Sequence, residues 1–295
     1  MSDADHPGSA QRIFLVFQMA KVASRSWSSL LHREFPDALV SHFHAISPTR
    51  ISKIESLVAA EPPIQTIKHL TLPRLGRPQP HIMDYVAQGR WIGPPVTVVT
   101  GIRDPVARAI SAVGFLCNRL GYERFPVTPR DGGTADNILT VFHRALSVAR
   151  GQDSGGDTLI TLLAGIIRDY DLWFAEELAP AFDFDITNEA FDHETRALLL
   201  NGSHKALIYR MEDLKHPSTC TQLLQTASGF LGKALQQFPA AGQSHETRYQ
   251  VLYKQATEQL RLSQEALDWF YDNPTVTKFY SHEEISEFRT RWAEL

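Results

Sequence analysis

The sequence predicts an α/β protein with a doubly wound, mainly parallel β-sheet and helices on both of its faces. Three short runs of apolar and β-branched side chains, the first of them unbroken, are typical of strands buried on both faces of such a sheet. They lie at residues 13–17, 96–100 and 206–209. Helical patterns separate the three runs, which indicates crossover connections that cover the sheet on both sides.

The elements between these strands are predicted from periodicity and from breaking residues. Trp27, Leu30 and Leu31 follow the first strand at helical spacing, and the helix must end before Pro36. Shorter runs at 38–41 and 65–68 predict two further strands. Helices are predicted at residues 26–35, 49–60, 104–116, 137–150, 158–178, 218–231, 246–256, 264–271 and 282–295.

The domain organisation follows from the same pattern. Residues 1–12 are polar and contain Pro7 and Gly8, so we expect a disordered N-terminal arm. Residues 13–295 are expected to form one domain. Within it, residues 118–200 predict a helical insertion or lid, which begins with a loop at 118–133 rich in arginine, glycine and proline.

Composition excludes several classes of function. The net charge is −4, from 29 Lys+Arg and 33 Asp+Glu, so no global positive field favours nucleic acid or an anionic membrane. No apolar run reaches the roughly 20 residues of a membrane span, and we expect a cytoplasmic protein. Cys117 and Cys220 are too few for a disulfide framework, and we expect both to be reduced and buried.

The loop after the first strand carries a cation followed by two hydroxyl groups. Ser24 and Ser26 lie three and five residues after Lys21, and the small side chain of Ala23 lets a phosphate approach the backbone. At such a position the N–H groups and positive end of the following helix attract anions. The loop has no glycine and lacks the Gly-Lys-Ser/Thr pattern of nucleoside triphosphatases. We therefore expect a phosphate site of a different kind.

A second strand–loop–helix segment carries an arginine. Arg103 follows the strand at 96–100, and Pro105 is suited to the first turn of the next helix. Ser111 comes eight residues after Arg103, about two helical turns on, and so returns to a similar side. A guanidinium group binds phosphate through two parallel hydrogen bonds. The pair of residues predicts a second anion site.

The two segments together resemble the nucleotide-binding motifs of sulfotransferases that use 3′-phosphoadenosine 5′-phosphosulfate (PAPS). The run from Lys21 to Trp27 is similar to the family's 5′-phosphosulfate loop, and Arg103-Asp104-Pro105 with Ser111 is similar to its 3′-phosphate motif. Arg25 replaces the small hydroxyl residue that is commoner at its position. The motifs lie about eighty residues apart in the family's order, which is more specific than either motif alone.

Other segments resemble one branch of that superfamily, the bacterial putative capsular polysaccharide synthesis proteins. These segments are residues 171–178, 184–186, 278–281 and 288–292. The resemblance implies a P-loop-like sulfotransferase fold. It also implies transfer of a sulfuryl group from PAPS to a hydroxyl of a saccharide or glycolipid, without a metal.

The resemblance also implies roles for the site residues. Lys21 would offset the charge that develops on the leaving phosphate. The 5′-phosphate would be held by the backbone and hydroxyls of residues 24–27, namely Ser24, Arg25, Ser26 and Trp27, beside the small Ala23. Arg103 and Ser111 would hold the 3′-phosphate.

A hydroxyl acceptor needs a general base, for which histidine is suited by its pKa. His42 and His44 come after the predicted strand at 38–41, and their spacing of two places them on one strand face. His44 is our first choice and His42 the second, with His69 a third candidate. Each can also be an ordinary surface histidine.

Two alternative functions are compatible with the pattern. One is a P-loop kinase-like phosphotransferase, which the absent Gly-Lys-Ser/Thr and magnesium ligand disfavour. The other is a non-catalytic capsule-biosynthesis protein that retains the nucleotide site, which an intact Lys21 with a nearby histidine disfavours. The identity of the acceptor is not predicted.

Overall fold

A computed structural model describes residues 12–19, 21–60, 85–87, 89–121, 134–154, 156–238 and 248–294. Its main sheet has five strands, and a separate antiparallel pair precedes the third strand of that sheet. The strands are β1 (Ile13–Phe17), β2 (Leu39–Phe43), β3 (Val86–Ala87), β4 (Arg90–Trp91), β5 (Thr97–Ile102), β6 (Ala197–Asn201) and β7 (Lys205–Arg210).

The helices follow the strands as the periodicity predicts. Their bounds are α1 (Ser24–Glu34), α2 (Pro48–Ala60), α3 (Pro105–Leu120), α4 (Ala135–Ala149), α5 (Thr158–Trp173), α6 (Ala179–Phe182), α7 (Pro217–Leu231), α8 (Arg248–Gln259), α9 (Gln264–Tyr271), α10 (Pro274–Phe279) and α11 (His282–Trp292). A π-helical segment (Phe174–Leu178) joins α5 to α6, and a 3₁₀ turn (Met211–Leu214) follows β7.

The strand order in the main sheet is β2-β1-β5-β7-β6. β1 pairs in parallel with β2 and β5, and β5 pairs in parallel with β7. Only the edge strand β6 is antiparallel to its neighbour. The chain runs outward from β1 to β2 in one direction and from β5 to β7 in the other. The carboxyl ends of β1 and β5 therefore form a switch point, where open α/β sheets bind ligands.

Apolar side chains fill both faces of this sheet, which confirms the prediction of a mainly parallel α/β fold. On one face Val16 and Val99 pack against α1 and α7, with Trp27 fully enclosed. On the other face Leu15 and Phe17 pack against the helices α3, α4 and α5. Because strand side chains alternate between faces, β1, which is enclosed by both cores, is apolar at every position.

Several predicted bounds need correction. β2 extends to Phe43, so His42 lies within the strand rather than after it. The helix predicted at 158–178 is α-helical only to Trp173. Three strands, β3, β4 and β6, and two helices, α6 and α10, were not predicted. The predicted strand at 65–68, with His69, lies outside the described residues, as do residues 1–11 of the predicted arm and 122–133 of the predicted lid loop.

The cysteines differ in their surroundings. Cys117 is enclosed by the core, and burial raises the pKa of its thiol. Cys220 is only half-buried, contrary to the expectation that both are buried, although burial still raises its thiol pKa. Within the described ranges, no helix combines the length and apolar character needed to cross a membrane.

Candidate functional site

The loop between β1 and α1 has an unusual backbone. Lys21 and Ala23 have φ angles of 73° and 65°, in the left-handed region that only glycine occupies without cost. Residues held there by their surroundings are concentrated at functional sites. Since the loop contains no glycine, its positive φ angles are not predicted from the sequence.

Helix α1 begins at this loop without a side-chain cap. Ala23 is its N-cap residue and offers no side-chain acceptor to the first turn. The N–H groups of Ser26 and Trp27 are directed to the carbonyl of Ala23, at 3.1 and 3.5 Å. The N–H groups of Ser24 and Arg25, the first two residues of the helix, have no acceptor within the helix. At the positive end of α1 such N–H groups favour an anion.

Tyr209, on strand β7, holds the loop through a hydrogen bond to its backbone. Its hydroxyl donates to the carbonyl of Val22, and the side-chain amide of Gln18 lies 3.1 Å from it. The ring fills the space beside Gly101, where an added Cβ would lie 2.6 Å from the tyrosine Cζ atom. Both Tyr209 and Gln18 are fully enclosed. The loop is therefore fixed by a strand that is two positions away from β1 in the sheet.

Lys21 points its ammonium group into a restricted space. Its Nζ atom lies 4.5 Å from the centroid of the Phe115 ring on α3. Burial lowers the pKa of Lys21 from 10.5 to about 8, and the nearby charges of Arg103 and Arg25 add to this effect. A lysine that is difficult to charge and surrounded by other cations would be stabilised by a bound anion.

Arg103 is the second cation at the switch point, and it is 8% exposed. Its two terminal nitrogens donate to the carbonyl of Lys21 at 3.4 Å and to the hydroxyl of Tyr253 at 3.1 Å. Among the described residues, its buried Nε atom has no hydrogen-bond partner. None of the ion pairs formed by the described residues includes Arg103. A buried guanidinium with only neutral acceptors is suited to bind an anion.

The turn that carries Arg103 is held by the C-terminal part of the chain. The carboxylate of Asp104 caps α3 by accepting from Val106 N–H at 3.0 Å. The same carboxylate accepts from the Tyr271 hydroxyl at 2.7 Å and the Trp292 indole at 2.9 Å. All three bonds fix the position of the first residues of α3. Arg103, one residue earlier, is thereby placed at the end of β5.

Glu212 has a role at this turn that the sequence did not indicate. One oxygen of its side chain accepts from the Asp104 N–H at 3.1 Å. Its second oxygen accepts from the Tyr280 hydroxyl at 2.8 Å. Burial and the adjacent Asp104 charge raise the pKa of Glu212. Glu212 therefore supports the Arg103 turn.

The other predicted phosphate ligands have different surroundings. Ser111 is 4% exposed on α3, two turns beyond Arg103. Ser26 is half-buried and Arg25 is exposed, whereas the hydroxyl of Ser24 lies outside what the structure describes. Trp27 has its indole in the core, 5.3 Å from the ring of Tyr209, so only its backbone is near the loop.

His44 lies just beyond β2, the neighbour of β1. Its Nδ1 atom is 2.5 Å from the carbonyl oxygen of Gln18. A carbonyl oxygen can only accept, so Nδ1 carries the proton and Nε2 of the neutral ring is unprotonated. Burial lowers the pKa of His44, the Gln18 carbonyl partly opposes this effect, and the charge of Arg50 adds to it. The ring is therefore neutral at pH 7, with Nε2 able to accept a proton.

The structure places His42 and His44 together, as their spacing predicts. Their rings meet at 4.6 Å in an edge-to-face arrangement. Gln18 connects them to the anion loop, because its carbonyl accepts from His44 while its side chain contacts Tyr209. Within the described residues, no third His, Cys, Asp or Glu joins the two histidines in a group that could hold a metal.

In comparisons with known proteins, no family model, curated protein or solved structure matches the chain.

Three residues of the site carried no assigned role from the sequence. Gln18 directly follows the first predicted strand, a position that could have suggested a role at the sheet edge. Tyr209 reads as an ordinary residue of a buried strand, and Tyr253 lies in a helix 150 residues from Arg103. The contacts of the last two are set by tertiary structure.

Proposed function

We propose that the protein is a PAPS-dependent sulfotransferase that transfers a sulfuryl group to a hydroxyl of a saccharide or glycolipid. The observation that carries the proposal is the pair Lys21 and Arg103, at the carboxyl ends of adjacent strands beside the uncapped start of α1. Arg103 lacks an anionic partner among the described residues, so the site is suited to a ligand with more than one negative group.

PAPS fits this arrangement of charges. Its 5′-phosphosulfate would lie at the start of α1, against the N–H groups of the first turn and the ammonium group of Lys21. Its 3′-phosphate would be bound by Arg103 and Ser111 on the α3 side. The 5′ and 3′ groups on one ribose need two separate anion sites, and the two strand–helix segments would serve as these sites.

The residues of the chain would divide the chemistry of transfer. The acceptor oxygen forms a bond to sulfur while the bond from sulfur to the phosphate oxygen breaks, and 3′,5′-bisphosphoadenosine (PAP) leaves. The acceptor proton passes to Nε2 of His44, which is the unprotonated ring nitrogen. Lys21 stabilises the charge that develops on the leaving phosphate. A metal-dependent kinase would also need carboxylates near the phosphates, but both oxygens of Asp104 and of Glu212 already accept hydrogen bonds.

Isothermal titration calorimetry tests the donor site. We expect PAP to bind without magnesium and more tightly than ADP, because ADP lacks the 3′-phosphate. Arg103→Met should weaken PAP binding by about 10- to 100-fold, the value of a lost charge-assisted contact. Arg168→Met is the matched control, since Arg168 also donates to backbone carbonyls but lies on α5. Equal or tighter binding of magnesium-ATP than of PAP would refute the proposal.

Transfer of radiolabelled sulfate from PAPS tests catalysis. Polysaccharide and glycolipid fractions serve as acceptors, and the wild-type chain should label one of them. His44→Gln should reduce the rate by about 10²- to 10⁴-fold while PAP affinity stays within about twofold, because a general base acts on the acceptor and not on the nucleotide. Tight PAP binding without transfer to any fraction would favour a non-catalytic protein.

A further inference from the structure

A buried carboxylate holds the backbone immediately after His44. Glu177 is fully enclosed, and one of its oxygens accepts from the N–H groups of Ile46 at 2.7 Å and of Ser47 at 3.0 Å. The other oxygen accepts from the Ser47 hydroxyl at 2.6 Å. Arg50 lies 3.8 Å from the same carboxylate and forms an ion pair with Asp169. A side chain about 130 residues away thus fixes the second and third residues after the candidate base.

The π-helical segment determines where this carboxylate points. One turn of π-helix, Phe174–Leu178, inserts an extra residue after α5 and changes the direction of the side chains that follow. Trp173, the last residue of α5, donates its indole N–H to the carbonyl of His44 at 3.4 Å. Trp173, just before the π-helical segment, and Glu177, within it, therefore both bind the backbone of the His44 segment. π-bulges occur often at functional sites.

We propose that Glu177 is a positioning residue for His44, set in place by the π-bulge, which keeps the Nε2 atom of the base directed toward the acceptor. The inference rests on the proposed function, in which His44 accepts the proton. The ring is fixed at two points: Gln18 holds Nδ1, and Glu177 with Trp173 holds the backbone on the C-terminal side.

A purely structural role is the alternative, because Ser47 also caps α2. The Ser47 hydroxyl accepts from Arg50 N–H at 3.3 Å, and Pro48 occupies the first helical position. If Glu177 served only this cap, removing the Ser47 hydroxyl and changing Glu177 would have the same effect on His44. If Glu177 positions His44, only the change at Glu177 would release the ring.

The state of the His44 ring supplies a measurement that is independent of sulfate transfer. Long-range ¹H–¹⁵N correlations of the histidine-labelled full-length chain at pH 7 report which ring nitrogen carries the proton, and His44→Gln assigns the signals. The charged and titratable neighbours of the ring, Arg50 and His42, remain unchanged in the variants. The wild type should show the Nδ1-protonated tautomer, which the bond to Gln18 requires.

Glu177→Gln replaces the carboxylate that accepts from two backbone N–H groups with a neutral amide oxygen, which accepts more weakly, so the His44 segment should be held less firmly. We expect the His44 signals to change to the Nε2-protonated tautomer or to an average of both. Ser47→Ala, the matched control, should retain the wild-type tautomer, because Glu177 keeps both backbone contacts. If Glu177→Gln does not fold, Trp173→Phe provides the test of the inference. This variant removes the indole donor to the His44 carbonyl and should lower the share of the Nδ1-protonated form.

In the transfer assay, Glu177→Gln should lower kcat by about 10- to 100-fold while KM for PAPS changes less than about twofold, as expected of a misplaced base. A wild-type tautomer in both Glu177→Gln and Trp173→Phe would overturn the inference, as would equal changes in Glu177→Gln and Ser47→Ala. If the wild type transfers no sulfate at all, the proposed function fails, and the tautomer measurement still decides whether Glu177 fixes the ring.

Discussion

Replacing Lys21 with methionine should make the ligand-free protein more stable. Burial lowers the pKa of Lys21 from 10.5 to about 8. At 1.36 kcal/mol for each pKa unit, charging this lysine in the folded state costs up to about 3 kcal/mol. The side chain keeps some contact with solvent and loses its interaction with Phe115, so we expect a net gain of about 1–2 kcal/mol. Methionine, like lysine, has a Cβ, so the cost of the positive φ angle cancels.

The stability difference between Lys21→Met and the wild type should depend on pH. Below pH 8 Lys21 is charged in both the folded and unfolded states, and the folded state bears the full cost. Between about pH 8 and 10.5 the unfolded chain holds a proton that the folded chain has released, so wild-type stability rises with pH through this group. The advantage of Lys21→Met should therefore be largest at pH 7 and fall by more than half at pH 10.

Urea denaturation at pH 7 and pH 10 measures both quantities. Lys205→Met is the matched control, because Lys205 is exposed and its ammonium also lies near an aromatic ring, 5.6 Å from that of Phe230. The control should change stability by no more than about 0.5 kcal/mol at either pH. A Lys21→Met protein that is less stable than wild type at pH 7, or whose gain is the same at pH 10, would refute the electrostatic reasoning.

Three further predictions concern the loop, the strand beside it and the bound nucleotide. Ala23→Gly should raise the free energy of unfolding by up to about 1 kcal/mol in urea denaturation, because glycine adopts a φ of 65° without strain. The control Ala145→Gly, within α4, should lower the free energy of unfolding by about 1 kcal/mol. A loss of stability in Ala23→Gly would contradict this reasoning. Gly101→Ala should lower the free energy of unfolding by about 1–3 kcal/mol, measured by thermal or urea unfolding, because the added Cβ would lie 2.6 Å from the Tyr209 ring. Gly229→Ala is the control: the position is helical and has open space around it, so the protein should not lose stability. PAP binding should take up a proton at pH 8–9, since a bound anion raises the pKa of Lys21 from about 8, and titrations in buffers of different ionisation enthalpy should show this uptake in the wild type but not in Lys21→Met.

The sequence by itself determined the strands that carry the site. β1, β5 and β7 are buried along most of their length, so most of their side chains are apolar, and such a run can be recognised locally. The first strand has the bounds that its composition predicts. The edge strand β6 was missed because a short apolar run at 197–200 fits a strand or a helix equally well, and only its pairing with β7 decides between them.

The positions of Lys21, Arg103 and His44 at one edge of the sheet also followed from the sequence, because each residue comes just after a strand. Tertiary structure alone decided how these residues are held. The strained loop depends on Tyr209, Arg103 on Tyr253, and the ring of His44 on Gln18. These contacts join residues far apart in the chain, and hydrogen bonds of this kind leave no periodic pattern. Local sequence thus predicts which groups reach the site, and the packed fold fixes their protonation and direction.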